Sequence, residues 1–113
     1  MITGVHATVF TRDADAARAF FRDVLGLPSV DAGGGWLIFA LPPAELAAHP
    51  AEREAHELYL MCDDITATVE DLRGKGVEFL GDVSDEGFGL MTRLRVPGGG
   101  ELGLYEPRHA SPR

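Results

Sequence analysis

The chain has 113 residues, of which 45% are hydrophobic and 25% charged, and these proportions indicate one globular domain rather than a disordered or fibrous protein. Eighteen acidic residues against ten basic ones give a net charge of −8, which leaves no basic stripe for nucleic acid. No apolar run is long enough to span a bilayer, and a single cysteine, Cys62, excludes an internal disulfide. We therefore expect a cytoplasmic protein that binds neither nucleic acid nor membrane.

The chain begins with a predicted strand and a predicted helix. The residues from Thr3 to Thr11 are rich in β-branched and aromatic side chains, which is typical of a strand. Asp13 is a favourable N-cap, and the residues from Ala14 to Leu25 carry apolar side chains at helical spacing. Gly26 follows at a position where a left-handed residue ends many helices, so we predict that the helix stops there.

Two short strands and an ambiguous segment complete the first half. Ser29 and Val30 begin one strand, and the residues from Trp36 to Leu41 form another after a triple-glycine turn. The segment from Pro42 to Pro50 fits either a short helix started by its prolines or a short strand. Its local propensity favours the helix.

The same order of elements returns in the second half. A helix is predicted from Asp64, its N-cap, to about Arg73, with Gly74 or Gly76 ending it. Segments rich in strand-forming residues precede and follow this helix. The predicted strands are Glu57 to Cys62, Val77 to Leu80, Leu90 to Val96 and Glu101 to Tyr105, and the tail at residues 107–113 is expected to fray.

The two halves are related as an internal repeat. His6 corresponds to His56 at an offset of fifty residues, and the segment from Leu41 to Ala47 corresponds to the segment from Val96 to Gly103. Each half is a strand–helix–strand–strand–strand unit. We therefore predict a single domain, residues 1–113, made of one repeat at about residues 3–50 and a second at about residues 54–106.

Two segments resemble a known protein family. The helix end, Ala19 to Leu27, is similar to the pattern F-Y-x-x-x-L-G-L, and the segment from Val96 to Tyr105 is similar to the closing strand D-P-D-G-N-x-I-E-L-Y. Both patterns belong to the vicinal oxygen chelate superfamily, which includes glyoxalase I, bleomycin-resistance proteins and extradiol dioxygenases. The resemblance implies an α+β fold in which two tandem βαβββ repeats form an open cup or barrel, completed in a homodimer.

In metal-dependent members of this superfamily, the first and last strands of each repeat supply the ligands of a divalent ion. The resemblance places His6 and His56 at the two first-strand positions, and imidazole there suits Fe, Ni, Zn or Mn. The last-strand glutamate of the family is replaced by Gly103, and its counterpart in the first repeat by Ala47. Glu101 lies two residues before Gly103 on the same face, so it is the candidate third ligand and a candidate catalytic carboxylate.

The same resemblance implies the lining of the cup. Glu45 matches Glu101 in the first repeat and is the candidate base or fourth ligand of the ion. If His56 points inward, strand alternation directs Leu58 inward and Glu57 outward. The candidate lining residues are Phe10, Phe39, Leu58, Arg93, Gly103 and Tyr105, and Gly103 is expected to leave an open floor.

The resemblance implies two functions, each with a small molecule as partner. The first is a metal-dependent lyase, isomerase or dioxygenase, in which the ion chelates neighbouring oxygens of the substrate and stabilises an anion. The alternative is a metal-free protein of the bleomycin-resistance type that sequesters an aromatic or cationic compound. The paired His6 and His56 favour the enzyme, whereas Gly103 and Ala47, which carry no donor atoms, favour the binding protein.

Overall fold

Among the residues that this computed structural model describes, 6–48, 50–53 and 55–112, the first regular element is a helix. The Asp13 carboxylate accepts a hydrogen bond from the Ala16 backbone and so starts α1, Ala14–Ala19, as predicted. The helix continues as a π-helical segment, Phe20–Val24. Gly26 then adopts a positive φ of 69°, which ends the helix where the sequence predicted.

A two-stranded sheet follows this helix. Strand β1, Ser29–Asp31, pairs antiparallel with β2, Leu37–Phe39, across the predicted glycine turn. The Asp31 carboxylate accepts hydrogen bonds from the backbone of Gly33 and Gly35 and holds this turn. The Phe39 ring lies edge-on to the Phe21 ring, with 5.5 Å between centroids, and attaches the small sheet to the helix.

Two predictions for the first half are wrong in the described residues. Residues 6–11 form no strand, although the predicted strand also included residues 3–5, which lie outside the described residues. Residues 42–48 form neither the favoured helix nor a strand. The Phe10 side chain is 88% exposed and Leu46 is fully exposed, so neither of these side chains is buried against the chain's own core, and propensity alone does not make a strand or helix of either segment.

The second half forms the main sheet and the second helix. The elements are β3, Tyr59–Met61; α2, Ile65–Gly74; β4, Ser84–Asp85; β5, Gly89–Arg95; and β6, Glu101–Pro107. The strand order is β3-β6-β5-β4, with β3 parallel to β6 and the other pairs antiparallel. The predicted strand from Val77 to Leu80 is reduced to one bridge, between Phe79 and Leu94, while β4 was not predicted.

The main sheet has one face against the helices and one open face. Leu94, Leu102 and Leu104 point to the helix side and are almost completely buried. They pack with residues of both helices; this core consists of Ala17, Phe20, Ile65, Val69, Leu72, Leu94, Val96, Leu102 and Leu104. Strand alternation and register place the other residues on the opposite side, which we call the open face: Tyr59, Met61, Gly89, Met91, Arg93, Arg95, Glu101, Gly103, Tyr105 and Pro107.

The described residues therefore form an α+β fold in which both α-helices cover the same side of the main sheet. None of the helices in these ranges has the length and apolar character needed to cross a membrane. Neither helix covers the open face of the main sheet, so this face is available for functional side chains.

Candidate functional site

The centre of the open face is occupied by an aromatic ring. Gly103 pairs with Tyr59 on one side and with Arg93 on the other. The Tyr59 ring lies directly over Gly103, so a β-carbon at position 103 would collide with it. The expectation of an open floor at Gly103 is therefore corrected, because the missing side chain provides the space that the neighbouring tyrosine fills.

Two carboxylates and a guanidinium surround this ring. Arg93 lies 3.6 Å from the Glu57 carboxylate and 3.7 Å from the Glu101 carboxylate. Its guanidinium carbon is 5.7 Å from the centre of the Tyr59 ring, a distance at which a cation is attracted to an aromatic face. The Tyr59 hydroxyl donates a hydrogen bond to Glu57. Arg93 therefore joins both carboxylates to the ring in a single cluster.

The hydrogen bond between Tyr59 and Glu57 shifts the ionisation of both groups. It lowers the pKa of Glu57, and the nearby positive charge of Arg93 lowers that pKa further. The same bond is the main reason that the pKa of Tyr59 is raised, with burial adding to the effect. Near neutral pH, Glu57 is therefore ionised and Tyr59 is a neutral donor.

A second aromatic group extends the site along β6. The Tyr105 ring is edge-on to the Tyr59 ring at 5.9 Å and to the Phe88 ring at 5.6 Å. Burial raises the pKa of Tyr105, and the negative charge of Glu45 raises it further. Three rings thus form a continuous aromatic surface with carboxylates beside it.

Glu45 and His109 complete this end of the site. The His109 ring nitrogen Nε2 lies 3.2 Å from the Tyr105 hydroxyl and 3.8 Å from a Glu45 carboxylate oxygen. Glu45 is only partly exposed, although it belongs to a segment without regular structure. Glu45 of the first half therefore lies at the open face, near Tyr105. Among the described residues it forms no ion pair or hydrogen bond with Glu101.

The side chains along β3 lie on the faces of the sheet opposite to those expected from the sequence. Leu58 and Leu60 pack against the buried core on the helix side. Glu57, which was expected to point away, binds Tyr59 on the open face instead. The physical reason is that aliphatic side chains gain most by packing on the helices, so Leu58 and Leu60 set the direction of the strand.

The remaining aromatic candidates do not line the open face. Phe10 is largely exposed in a segment that ends near the Gly98–Gly100 turn, where the Arg12 backbone donates to the Gly98 carbonyl at 3.1 Å. Phe39 packs edge-on against Phe21 of the first half. In the part of the chain that the structure describes, neither ring stacks against a ring of the open face.

The donor set does not fit the divalent ion that the resemblance implies. His6 and His56 are exposed, and Glu101 is directed to Arg93. Within residues 6–48, 50–53 and 55–112, no group of three or more His, Cys, Asp or Glu side chains is arranged to hold a metal. Gly103 offers no donor, and the Tyr59 ring covers the position of the family's carboxylate.

Sequence reasoning did not assign four contributors to the site: Glu57, which was directed to the other face, and Tyr59, Phe88 and His109. For two of them a signal was present, because Glu57 and Tyr59 alternate with Leu58 and Leu60 in a pattern typical of a strand with one face on a helix. Phe88 follows an unpredicted strand, and the contact of His109 depends on where the tail runs. Local sequence carries no signal for either.

The fold is similar to several solved structures. They include TnmS3, an antibiotic binding protein from Streptomyces sp. CB03234, with 24% identity, 94% of this chain and 97% of that chain covered, and a TM-score of 0.68. A member of the glyoxalase/bleomycin resistance protein/dioxygenase superfamily from Sphaerobacter thermophilus DSM 20745 has 23% identity, coverages of 93% and 98%, and a TM-score of 0.67. Lactoylglutathione lyase from Agrobacterium tumefaciens has 19% identity, coverages of 93% and 94%, and a TM-score of 0.65.

The sequence itself also matches a family description. A comparison with curated proteins gives no match. The sequence model of the Glyoxalase/Bleomycin resistance protein/Dioxygenase superfamily, however, matches residues 4–102, which is most of the chain. With the shared fold and the two motifs, this match confirms the resemblance: the chain belongs to the glyoxalase/bleomycin resistance protein/dioxygenase superfamily.

Proposed function

We propose that the protein is a cytoplasmic, homodimeric binding protein that holds a planar aromatic cation on the open face without a metal ion. The observation that carries the proposal is the Tyr59 ring, which lies over Gly103 and fills the place of the family's metal-binding carboxylate. A ligand would therefore meet an aromatic surface at the position where a metal-dependent relative presents a carboxylate.

The aromatic surface supports a flat ligand. Tyr105 lies edge-on to both Tyr59 and Phe88, so the rings present faces and edges at different angles along one side of the sheet. Ligand sites commonly combine such apolar walls with a few polar groups that fix orientation. Here the polar groups are the Tyr59 hydroxyl and the carboxylates beside it.

The charge of the open face supports a cation. The single positive charge of Arg93 lies between Glu57 and Glu101, so this cluster carries an excess of one negative charge. Glu45 adds a carboxylate beside Tyr105. The whole chain has a net charge of −8, which attracts cations from a distance at low ionic strength.

The description of TnmS3 as an antibiotic binding protein is of the same class as this proposal, although its similarity establishes only the fold. A metal-dependent enzyme is the second candidate, supported by two histidines at equivalent positions of the repeats. In that function His6, His56 and Glu101 hold the ion, and Glu45 is the base or a fourth ligand. This metal-dependent function requires Glu101 to move away from Arg93. It also requires both histidines to move toward Glu101.

Two fluorescent probes of the same shape and opposite charge test the proposal. N-methylacridinium carries a fixed positive charge, and acridine-9-carboxylate carries a negative one. In the presence of a metal chelator, we expect saturable binding of the cation and at least tenfold weaker binding of the anion, roughly the effect of a close charge pair.

Matched variants locate the site. Tyr59→Leu should weaken N-methylacridinium binding by roughly tenfold, whereas Tyr59→Phe, which keeps the ring, should retain most of the affinity. Phe88→Leu, at a partly exposed ring, should also weaken binding and is a check against misfolding of the Tyr59 variant. Equal binding of both probes, or unchanged binding in Tyr59→Leu and Phe88→Leu, would contradict the proposal.

A further inference from the structure

Glu45 is the least exposed of the three carboxylates at the site. Its side chain is 18% exposed, compared with 54% for Glu57 and 51% for Glu101. A charge that is partly withdrawn from water is screened less, so it attracts an opposite charge more strongly than an exposed charge does. Among these three groups, Glu45 is therefore the one at which a positive charge on a ligand is bound most favourably.

Glu45 also differs from the other two carboxylates in its partner. Glu57 and Glu101 lie 3.6 Å and 3.7 Å from the guanidinium of Arg93, which is always charged. In the described part of the chain, the ion-pair contact of Glu45 is with Nε2 of His109 at 3.8 Å, which is too long for a hydrogen bond. No arginine or lysine among the described residues pairs with Glu45, so a cationic ligand meets no such competitor there.

Aromatic rings lie beside the Glu45 carboxylate. The centroid of the Tyr105 ring is 5.9 Å from that of Tyr59, 5.6 Å from that of Phe88 and 6.0 Å from that of His109. The His109 nitrogen that faces Glu45 is also 3.2 Å from the Tyr105 hydroxyl, which places the carboxylate near the hydroxyl end of this ring. In agreement with this position, the negative charge of Glu45 contributes to the raised pKa of Tyr105.

A carboxylate beside several aromatic rings has the chemistry that selects an alkylammonium group. The ring faces attract the positive charge and contact the alkyl groups, while the carboxylate supplies the opposite charge. A metal ion would instead need several donor atoms, and the described residues contain no group of three or more His, Cys, Asp or Glu side chains arranged to hold one. The surroundings of Glu45 therefore suit an organic cation.

We propose that Glu45, Tyr105 and Phe88 form a subsite for an alkylammonium group that the aromatic ligand carries on a short arm. This subsite rests on the proposed function, because the aromatic part of the ligand lies against Tyr59. The Tyr59 and Tyr105 centroids are 5.9 Å apart, so a short arm reaches from one ring to the next. Glu45, from the first half of the chain, then determines specificity by fixing the charged end of the ligand.

Two naphthalene probes with arms of similar size test the subsite. Trimethyl(naphthalen-2-ylmethyl)ammonium has a fixed positive charge on its arm, whereas N-(naphthalen-2-ylmethyl)acetamide is uncharged. In fluorescence titrations with a metal chelator present, we expect the wild type to bind the cation about tenfold more tightly than the amide. Equal affinities for the two probes would overturn the subsite.

Glu45→Gln keeps the size of the side chain and removes its charge. It should weaken binding of the cation by about tenfold and binding of the amide by less than about twofold, so that the preference for the cation is lost. Binding of the amide also shows that the variant is folded. Glu70→Gln removes the same charge from the exposed side of α2 and should keep the preference.

Glu101→Gln compares the two carboxylate positions directly. It should weaken binding of the cation less than Glu45→Gln does, because Arg93 already lies beside Glu101 and offsets its charge. A loss in Glu101→Gln that equals or exceeds the loss in Glu45→Gln would overturn the subsite.

N-methylacridinium separates failure of the subsite from failure of the proposed function. An unchanged preference for the cation in Glu45→Gln, together with N-methylacridinium binding that is weakened in Tyr59→Leu, would overturn the subsite while the proposed function stands. Failure of N-methylacridinium and of both naphthalene probes to bind the wild type would overturn the proposed function and the subsite with it.

The position of the bound arm can also be measured. In the complex with the cationic naphthalene probe, nuclear Overhauser effects should connect the N-methyl protons with ring protons of Tyr105 and Phe88. The absence of such effects to both rings would overturn the subsite, whatever the affinities.

Discussion

At the residue scale, Gly103 is a position at which one added carbon is expected to lower the stability of the fold. A β-carbon there would collide with the Tyr59 ring, and Gly103 is buried in β6, which is hydrogen-bonded to a strand on each side. We predict that Gly103→Ala lowers the free energy of unfolding by about 1–3 kcal/mol, as measured by urea denaturation. Gly81→Ala is the matched control, because its β-carbon would have no neighbour within 4 Å, and should change stability by less than about 0.5 kcal/mol. Equal effects of the two substitutions would contradict the placement of the ring.

The two tyrosines of the chain, Tyr59 and Tyr105, provide a second test at this scale. Both have a pKa raised above the ordinary value of 10.0, so the near-ultraviolet tyrosinate signal of the folded protein should develop only above that pH. The neutral form is favoured in the folded state, so the associated stability is fully present below pH 10.0 and is lost as the pH rises through the folded pKa values.

Glu57→Gln removes the charge that contributes to the raised pKa of Tyr59. It should move one of the two tyrosine transitions to lower pH, whereas Glu70→Gln on the exposed side of α2 should move neither. A titration curve that is the same in wild type and Glu57→Gln would show that the hydroxyl does not bind this carboxylate in solution.

Residue-level prediction succeeded where the strand pattern was unambiguous. Gly103 and Tyr105 share a face of β6, as expected from their spacing of two. The direction of Glu57 and Leu58 was wrong because it was derived from His56, an exposed residue that precedes β3. The burial of the aliphatic side chains decides the direction, since it contributes more free energy than the orientation of an exposed imidazole.

At the element scale, both helices were predicted because their signals are local. Asp13 and Asp64 each accept a hydrogen bond from a backbone amide three residues later, the geometry of an N-cap. We predict that Asp64→Ala lowers the free energy of unfolding by about 1 kcal/mol, measured by thermal or urea denaturation. Asp63→Ala removes a neighbouring exposed carboxylate without a recorded capping bond and should have a much smaller effect. Similar losses in both variants would mean that charge, rather than the cap, stabilises α2.

The strands were predicted less well, because a strand depends on a partner that can be distant in sequence. Gly89–Arg95 and Glu101–Pro107 pair across a short turn and were found close to their predicted bounds. The segment at residues 6–11 has the composition of a strand but pairs with no strand in the described part of the chain. Composition predicts that a segment can form a strand, and only the tertiary structure determines whether it does.

At the scale of the whole molecule, the first half exposes apolar side chains that a partner would cover. Val30 is 65% exposed, Trp36 is 64% exposed, and Leu46 is fully exposed. Large exposed apolar side chains of this kind are typical of an interaction surface. We therefore predict a homodimer in solution, with the first half of each chain at the interface, as measured by analytical ultracentrifugation.

Leu46→Asp tests this interface, because the side chain touches nothing that a single chain needs for folding. The variant should shift the protein toward the monomer, and the emission of Trp36, the single tryptophan, should move to longer wavelength as it becomes exposed. Val83→Asp, at a partly exposed residue of the second half, is the control and should remain dimeric. A monomeric wild type, or an unchanged dimer in Leu46→Asp, would contradict this arrangement.

The central claim, that the open face binds an aromatic cation without a metal, is tested most directly by calorimetric titration of the chelator-treated protein with N-methylacridinium. The titration is then repeated after loading with Fe(II), Ni(II), Zn(II) or Mn(II), and the retained metal is measured. The account predicts saturable binding to the metal-free protein, with an affinity that the added ions do not change. Binding that appears only after loading, together with a retained ion that is lost in His56→Ala, would contradict it and support the metal-dependent enzyme.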